Sequence, residues 1–200
     1  MAPVIPDPKR IRDFPDQAAF ERWLSQNHDR EPELWLKIHK KGSGLPTVTY
    51  AEAVDVALCW GWIDGHKKSF DDKSFLQRFS PRGKKSIWSQ INRDHVARLI
   101  EAGRMTPHGL AHVEAAKADG RWDAAYASGS KMEPPEDLLA AIEADPQAYD
   151  MYQRLNATNR YALSFRTVNM KTEAGRKKKI ATFVDMLRRG ETIYPNGKSK

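Results

Sequence analysis

The chain has 200 residues, of which 40% are hydrophobic and 30% charged, and its formal net charge is +7. A chain of this length forms one domain, or a main domain with a smaller companion, and needs no disulfide or metal to fold. The lone cysteine, Cys59, excludes an internal disulfide and any structural zinc site that requires two thiolates. No run of 18 apolar residues is present, so the sequence predicts no membrane span.

The first 126 residues carry signals for both helices and strands. Proline-rich residues 1–15 predict a loose lead-in, and residues 16–126 predict one domain. In chain order the patterns predict a helix from Asp16 to Asn27, a strand from Leu34 to Lys41, and a helix that begins with a capping box at Thr49–Glu52. A hairpin follows, formed by Trp62–His66 and Ser74–Phe79, which are separated by the polar stretch Lys67–Lys73. Ser89 and Thr106 are then predicted to cap two further helices. Helices and strands that do not alternate regularly favour an α+β fold with a small antiparallel sheet.

The C-terminal region has a helical pattern throughout. Ala127 to Pro134 is rich in Ser, Gly and Pro and predicts a linker. Residues 135–190 predict a small all-helical domain, and residues 191–200 predict a flexible tail. The four helices of this domain are predicted to begin at Pro135, Asp145, Thr158 and Thr172. Residues 154–200 hold twelve basic and three acidic side chains, so the positive charge is concentrated here.

One stretch, from Cys59 to Asn92, is the densest in functional side chains. Indole rings stack on planar ligands, arginines bind anions, and a helix start near Ser89 supplies unpaired backbone N–H groups. The candidate ligand-binding residues are therefore Trp60, Trp62, Asp64, Arg78, Arg82, Ser86, Trp88 and Asn92. The alternative is that the tryptophans belong to the core, that Asp64 pairs with an arginine, and that the serines are helix caps.

The basic C-terminal region suggests a polyanion as a second kind of partner. Four successive cations open the final predicted helix, where they oppose the helix dipole and need a source of negative charge. That charge comes either from the acidic helix of Glu136, Asp137 and Glu143 or from a nucleic acid. The candidate nucleic-acid-binding residues are Arg160, Arg166, Arg176, Lys177, Lys178 and Lys179.

Signals for metal or catalytic chemistry are weak. His108 and His112 have the i, i+4 spacing of a shared metal site, but spacing suggests no third ligand, so we expect no metal and no cofactor. Cys59 ends an apolar helix, where a buried thiol is inert more often than reactive. Asp64 is a weak candidate for a general base, with His66 two residues away.

Several motifs stand in the order found in one known family. They are Trp23-Leu24, Glu33-Leu34-Trp35-Leu36, Thr49-Tyr50-x-Glu52-Ala53-Val54, Cys59-x-Gly61-Trp62-Ile63-Asp64-Gly65, Phe79-x-Pro81-Arg82, Ser86-x-Trp88-Ser89-x-x-Asn92, Gly103-Arg104-Met105 and, in the tail, Pro135-Glu136-Asp137-Leu138 and Asn159-Arg160. Over residues 14–195 the chain resembles the YdeI/OmpD-associated family, also labelled bacteriocin-protection, with its OmdA-like C-terminal region. The resemblance implies a bacterial, cytoplasmic protein linked to tolerance of bacteriocins or cationic antimicrobial peptides, and it carries over no catalytic residues.

Three functional hypotheses follow from these observations. A protein with a net charge of +7 is poorly suited to bind cationic peptides directly, because like charges repel, so protection would be indirect. The leading hypothesis is a non-enzymatic, stress-associated protein that binds an anionic small molecule or partner. The alternatives are a nucleic-acid-binding protein that uses the basic C-terminal helices, and an enzyme on a small anionic substrate with Asp64 as base. The sequence leaves the oligomeric state open.

Overall fold

A computed structural model of the chain describes residues 4–127 and 132–197. The chain folds as two compact units, Met1–Ala125 and Tyr126–Lys200. The Ser-Gly-Ser part of the predicted linker, within residues 128–131, lies outside the described residues. Within the two described ranges, no helix is long and apolar enough to cross a membrane.

The described part of the N-terminal unit contains a four-stranded sheet and four α-helices. Its elements are β1 (Ile11–Asp13), α1 (Gln17–Asn27), β2 (Leu34–His39), α2 (Tyr50–Cys59), β3 (Trp62–Asp71), β4 (Ser74–Pro81), α3 (Gln90–Glu101) and α4 (Pro107–Ala118). The strand order is β1-β2-β4-β3; β1 pairs with β2 in parallel, and the other pairs are antiparallel. The α+β fold class is confirmed, with a mixed sheet because β1 adds a parallel strand.

The helix starts are where the capping residues predict them. Asp16, Thr49, Ser89 and Thr106 each accept a hydrogen bond from a backbone N–H of the first helical turn. At Thr49 the capping box is complete, since the Glu52 carboxylate also accepts from the Thr49 backbone N–H at 2.8 Å. These bonds satisfy donors that the helix itself leaves unpaired.

Two segments predicted to be irregular are strands. Ile11–Asp13, within the predicted lead-in, pairs with β2 from Trp35 to Lys37. Three residues are too few to show an alternating pattern, which is why the sequence does not reveal this strand. The predicted polar stretch after His66 continues β3 to Asp71, because an edge strand can remain extended with most of its side chains in solvent.

The core of the N-terminal unit lies on one face of the sheet. Alternate residues of β2, Leu34 and Leu36, are buried there with Phe79 of β4. Helices α1 and α2 contribute further apolar side chains to the same cluster, among them Phe20 and Val56. On the same face of the sheet, Ile38 of β2 and Phe75 of β4 line the cavity that forms the candidate site described below.

The described part of the C-terminal unit contains four short helices. They are α5 (Glu136–Glu143), α6 (Pro146–Gln153), α7 (Ala157–Val168) and α8 (Glu173–Arg188). Their shared core includes Leu138, Ile142, Leu163, Phe183 and Leu187. The predicted helical C-terminal region is confirmed.

The start of α7 differs from the prediction. Asn156, not Thr158, is the N-cap, because its side chain accepts a hydrogen bond from the Asn159 backbone N–H at 2.9 Å. The Asn159 side chain in turn accepts from the Tyr194 backbone N–H at 3.0 Å, and Asn196 accepts from the Asn156 backbone N–H at 2.8 Å. These bonds hold the described part of the predicted flexible tail against the start of α7.

Candidate functional site

The three large side chains at the centre of the predicted pocket lie in the core. Trp62, Arg82 and Trp88 are each at most 3% exposed. The Trp62 indole N–H donates to the backbone carbonyl of His28 at 3.0 Å. The Arg82 guanidinium lies 3.6 Å from the Trp88 ring centroid and donates to the Ile87 carbonyl at 3.0 Å. This burial disagrees with an open pocket at Arg82 and Trp88, which pack against each other, whereas Trp62 also lines a small cavity beside Trp60.

Three more of the predicted residues make local contacts elsewhere. Arg78 forms an ion pair with Glu33 at 2.6 Å. The Ser86 carbonyl accepts a hydrogen bond from Arg121 at 2.9 Å, and the Asn92 backbone N–H donates to the Ser89 hydroxyl at 3.2 Å. The structure therefore does not gather the eight predicted residues into one site.

Trp60 lines a small cavity of about 270 Å³ beside three histidines. The Trp60 ring is stacked on the His108 ring with 6.0 Å between the ring centroids, and the ring centroids of His28 and His108 are 4.0 Å apart. Burial lowers the pKa of His112, and the charges of Arg82 and Arg121 lower it further. Among the described residues, no group of three or more His, Cys, Asp or Glu side chains has metal-binding geometry.

Asp64, unlike the buried Trp88, lies in a cleft. It is half-buried and accepts a 2.7 Å hydrogen bond from the Tyr50 hydroxyl at the start of α2. A cavity of about 400 Å³ is lined by Asp64, Gly65 and Gln77 together with Tyr50, Lys67 and Phe75. No arginine pairs with Asp64 among the described ion pairs.

A larger cavity of about 820 Å³ adjoins this cleft. It shares Tyr50, Lys67 and Phe75 with the smaller cavity, so the two form one groove. We call both cavities together the Lys67 groove. The remaining residues of the larger cavity are Ile38, His39, Lys40, Lys41, Gly42, Ser43, Gly44, Leu45, Thr47, Thr49 and Ser69.

The loop after β2 forms one wall of the groove. Gly42 and Gly44 have φ values of +90° and +74°, which favour glycine, so this wall depends on both of them. The Lys40 backbone N–H donates to the Lys73 carbonyl at 2.7 Å, and its ammonium donates to the carbonyls of Asp71 and Asp72. The base of the loop is thereby fixed to the β3–β4 turn.

The groove combines apolar walls with positive charge. The Lys67 ammonium lies 4.1 Å from the Phe75 ring centroid, and neither Lys67 nor Lys41 has an ion-pair partner within the described ranges. The larger cavity has no Asp or Glu among its lining residues within the described part of the chain. At the nearby start of α2, the backbone N–H groups of Thr49 and Glu52 are already occupied by the capping box.

Sequence reasoning missed this groove. It treated Gly42 to Gly44 only as the end of a strand and Lys67 only as part of a polar turn. The available signal was the pair Lys40-Lys41 immediately before Gly-Ser-Gly, where a flexible loop carries cations. That signal is weak, because it does not say that Phe75 and Lys67 face the loop.

The predicted nucleic-acid-binding residues are partly engaged within the C-terminal unit. Arg176 makes two hydrogen bonds to the Asp137 carboxylate, at 2.6 and 2.7 Å. Arg160 donates to the backbone carbonyls of Leu155 and Gln153. For Arg176, the alternative in which the acidic helix supplies the negative charge is confirmed. The other cations show weaker engagement: Lys177 pairs with Glu173 at the surface, Arg166 contacts the Tyr194 hydroxyl at 3.4 Å, and Lys179 lies near the Phe183 ring.

Comparison with known proteins yields two family matches. A family described as "Domain of unknown function (DUF8412)" matches residues 12–112, about half of the chain. A family described as "Bacteriocin-protection, YdeI or OmpD-Associated" matches residues 131–190. No curated protein and no solved structure matches the chain. The chain therefore belongs to the DUF8412 family through residues 12–112 and carries the domain of the bacteriocin-protection, YdeI or OmpD-associated family at residues 131–190.

Proposed function

We propose that the chain is a non-enzymatic binding protein whose ligand is a small molecule with an apolar body and an anionic group. The observation that carries the proposal is the Lys67 groove, where Ile38, Leu45 and Phe75 line a cavity of about 820 Å³ that also contains lysines. Small-molecule sites are concave and mostly apolar, with a few polar groups that orient the ligand. Lys41 and Lys67 would hold the anionic group at the mouth of the cavity.

The match of residues 131–190 to the bacteriocin-protection family supports a biological role for this ligand. We propose that protection is indirect and depends on the bound small molecule. Direct capture of a cationic peptide is disfavoured, since the chain has a net charge of +7 and lysines line the cavity of about 820 Å³. A stress-related signal or metabolite fits the dimensions of the groove better than a folded peptide does.

The nucleic-acid alternative has less support from the geometry. Arg176 and Arg160 already have partners in their own unit. Of the other cations of this set, Arg166, Lys177 and Lys178 are exposed and Lys179 is partly exposed. Its test is a gel-shift series with duplex DNA at two salt concentrations, comparing wild type with the Lys178→Ala/Lys179→Ala variant. A loss of binding in the variant, with a salt slope lower by about 2, would support it. Equal, weak binding by both proteins would discard it.

The enzyme alternative rests on Asp64 alone. Its place in a cleft beside the Tyr50 hydroxyl is where a general base could act on a bound molecule. It predicts that a ligand of the groove is consumed and that Asp64→Asn abolishes the consumption. One-dimensional NMR of each bound compound after prolonged incubation distinguishes the enzyme from the binding protein. An unchanged spectrum supports the binding protein, and loss of the compound's signals supports the enzyme.

Isothermal titration calorimetry with 3-phenylpropanoate tests the proposed function. The uncharged 3-phenylpropan-1-ol serves as the ligand control, because it has the same carbon skeleton without the anion. We expect the anion to bind at least three-fold more tightly than the alcohol, and Lys67→Met to weaken the anion three- to ten-fold. That loss corresponds to about 0.7–1.4 kcal/mol.

Lys68→Met is the matched control variant. Lys68 is the next residue of β3 and pairs with Leu76 rather than Gln77, so it lies on the opposite face of the sheet from Lys67. It does not line the groove, and we expect wild-type affinity. Absence of binding by the anion, or an equal loss in both variants, would refute the proposal.

A further inference from the structure

The smaller cavity of the Lys67 groove is lined by one side chain of each charge sign. Asp64 and Lys67 both line it, yet within the described residues they do not approach to the 4.0 Å of an ion pair. The Asp64 carboxylate is held by the Tyr50 hydroxyl, and the Lys67 ammonium lies over the Phe75 ring. Two opposite charges in one cavity that do not neutralise each other are complementary to a ligand that carries both.

A β-bulge is the reason why these two side chains share a cavity. Residues three apart in a regular strand point to opposite faces of the sheet. In β3, however, Asp64 pairs with Phe79 and Lys67 with Gln77, so three steps along β3 correspond to two along β4. The extra residue brings Asp64 and Lys67 to the same face, which is how bulges re-aim side chains near functional sites.

The bulge is supported by a buried polar side chain. Gln77 is 3% exposed, and its amide donates to the Gly65 carbonyl at 2.9 Å. Gly65 lies within the bulge, where the strand ladder leaves a backbone group to be satisfied in another way. The strand pairing therefore fixes the face of the sheet on which Asp64 and Lys67 both lie.

We propose that the ligand of the Lys67 groove is a small zwitterion of the amino-acid type with an apolar side chain. Its ammonium pairs with Asp64, its carboxylate pairs with Lys67, and its side chain extends into the larger cavity past Phe75 towards Leu45. A carboxylate has several acceptor positions, so Asp64 can keep its bond to Tyr50 while it binds the ammonium. The inference rests on the proposed function, because it assigns the ligand class of the same groove.

The test is a calorimetric comparison of three ligands that share one ring. L-Phenylalanine carries both charges, 3-phenylpropanoate lacks the ammonium, and 2-phenylethylamine lacks the carboxylate. L-Leucine and 4-methylpentanoate are titrated in parallel, so that the shape of one side chain does not decide the result. Each ligand is titrated into the full chain as wild type, Asp64→Asn, Lys67→Met and the Lys68→Met control, with thermal unfolding confirming that each variant is folded.

We expect at least one zwitterion to bind ten-fold more tightly than its matched anion. Asp64→Asn should weaken that zwitterion five- to twenty-fold and leave its matched anion within two-fold, whereas Lys67→Met should weaken both. If neither zwitterion exceeds its matched anion, or if Asp64→Asn weakens the zwitterion and the anion equally, the ligand class is wrong and the anion-binding function stands. If no anion or zwitterion binds, both proposals are wrong.

Discussion

The guanidinium carbon of Arg82 lies 3.6 Å from the centroid of the Trp88 ring, and both side chains are almost fully buried. A cation stacked on an indole in a dry environment contributes more than the same pair at the surface. Arg82 also donates to the Ile87 carbonyl at 3.0 Å and so holds the segment that leads to α3. This pair belongs to the framework of the N-terminal unit.

Arg82→Ala is expected to lower the free energy of unfolding by about 2–4 kcal/mol. The substitution removes the stacked cation, leaves a void beneath Trp88 and takes a donor from a part-buried carbonyl. Urea denaturation measures the loss, and Arg30→Ala is the control, because the Arg30 side chain is 79% exposed. The folded variant should bind 3-phenylpropanoate like the wild type. If the variant were as stable as the wild type but did not bind the ligand, Arg82 would belong to the binding site and not to the core.

Gly109→Ala is expected to destabilise the chain by about 1–3 kcal/mol, although alanine is the better helix former. A Cβ at Gly109 would overlap the Cys59 carbonyl oxygen and lie 2.7 Å from that of Leu58. Since these are backbone atoms, α4 must move away from the end of α2. Gly83→Ala is the control, as its Cβ would meet only the Ser86 hydroxyl at 3.5 Å. Thermal unfolding distinguishes them; a stabilised Gly109→Ala protein would contradict the packing described.

The ion pair of Asp137 with Arg176 should make part of the stability depend on acid pH. The side-chain hydrogen bonds from Arg176 lower the pKa of Asp137. A carboxylate whose pKa is lower in the folded state stabilises it above the unfolded pKa of about 4, and this stabilisation is lost as the pH falls through the folded pKa. Asp137→Asn should therefore be less stable than wild type near pH 6, by up to about 1 kcal/mol.

The measurement is chemical denaturation of both proteins at a series of pH values from 6 to about 2. The difference in unfolding free energy between them should shrink as the pH falls below about 4, because the wild-type carboxylate becomes protonated. Glu173→Gln is the control, since Glu173 pairs with Lys177 at a highly exposed position. A difference that stays constant over the whole range would show that the charge of Asp137 plays no part.

The Cys59 thiol is expected to be unreactive in the folded chain. Burial raises its pKa to about 11, and the side chain is fully inaccessible to solvent. At pH 8 only about one thiol in a thousand would then be the reactive thiolate. Reaction with a disulfide reagent should be at least 100-fold slower in the native protein than in urea. A fast native reaction would show that the end of α2 opens readily.

The local signals of the sequence were sufficient for most of the helices and strands and insufficient for the site. Helix starts depend on hydrogen bonds within four residues, so the sequence alone predicts them, as at Thr49 with Glu52 and at Thr106 before Pro107. The faces of β2 follow from the alternation of apolar residues. The short strand β1 depends instead on its pairing with Trp35, which no local pattern shows.

The site depends on contacts between distant residues. Trp62 and Arg82 have suitable chemistry for a pocket, but their burial is decided by contacts that no local pattern shows, with His28 for Trp62 and with Trp88 for Arg82. Asp64, a candidate site residue of the sequence analysis, lies in a cleft, whereas its cavity partner Lys67 was not among the candidates. The bulge that brings the two together is a property of the β3–β4 register, and the sequence of β3 alone does not reveal it.

The most direct test of the account is a map of backbone amide shifts in ¹⁵N-labelled protein titrated with 3-phenylpropanoate. We predict that the largest shifts fall on Gly42, Gly44, Leu45 and Lys67, which line the groove. The amides around Trp60 and His112, at the small histidine cavity, should not move. Shifts centred on Trp60 and His112, or no saturable shifts at all, would contradict the claim that the Lys67 groove is the binding site.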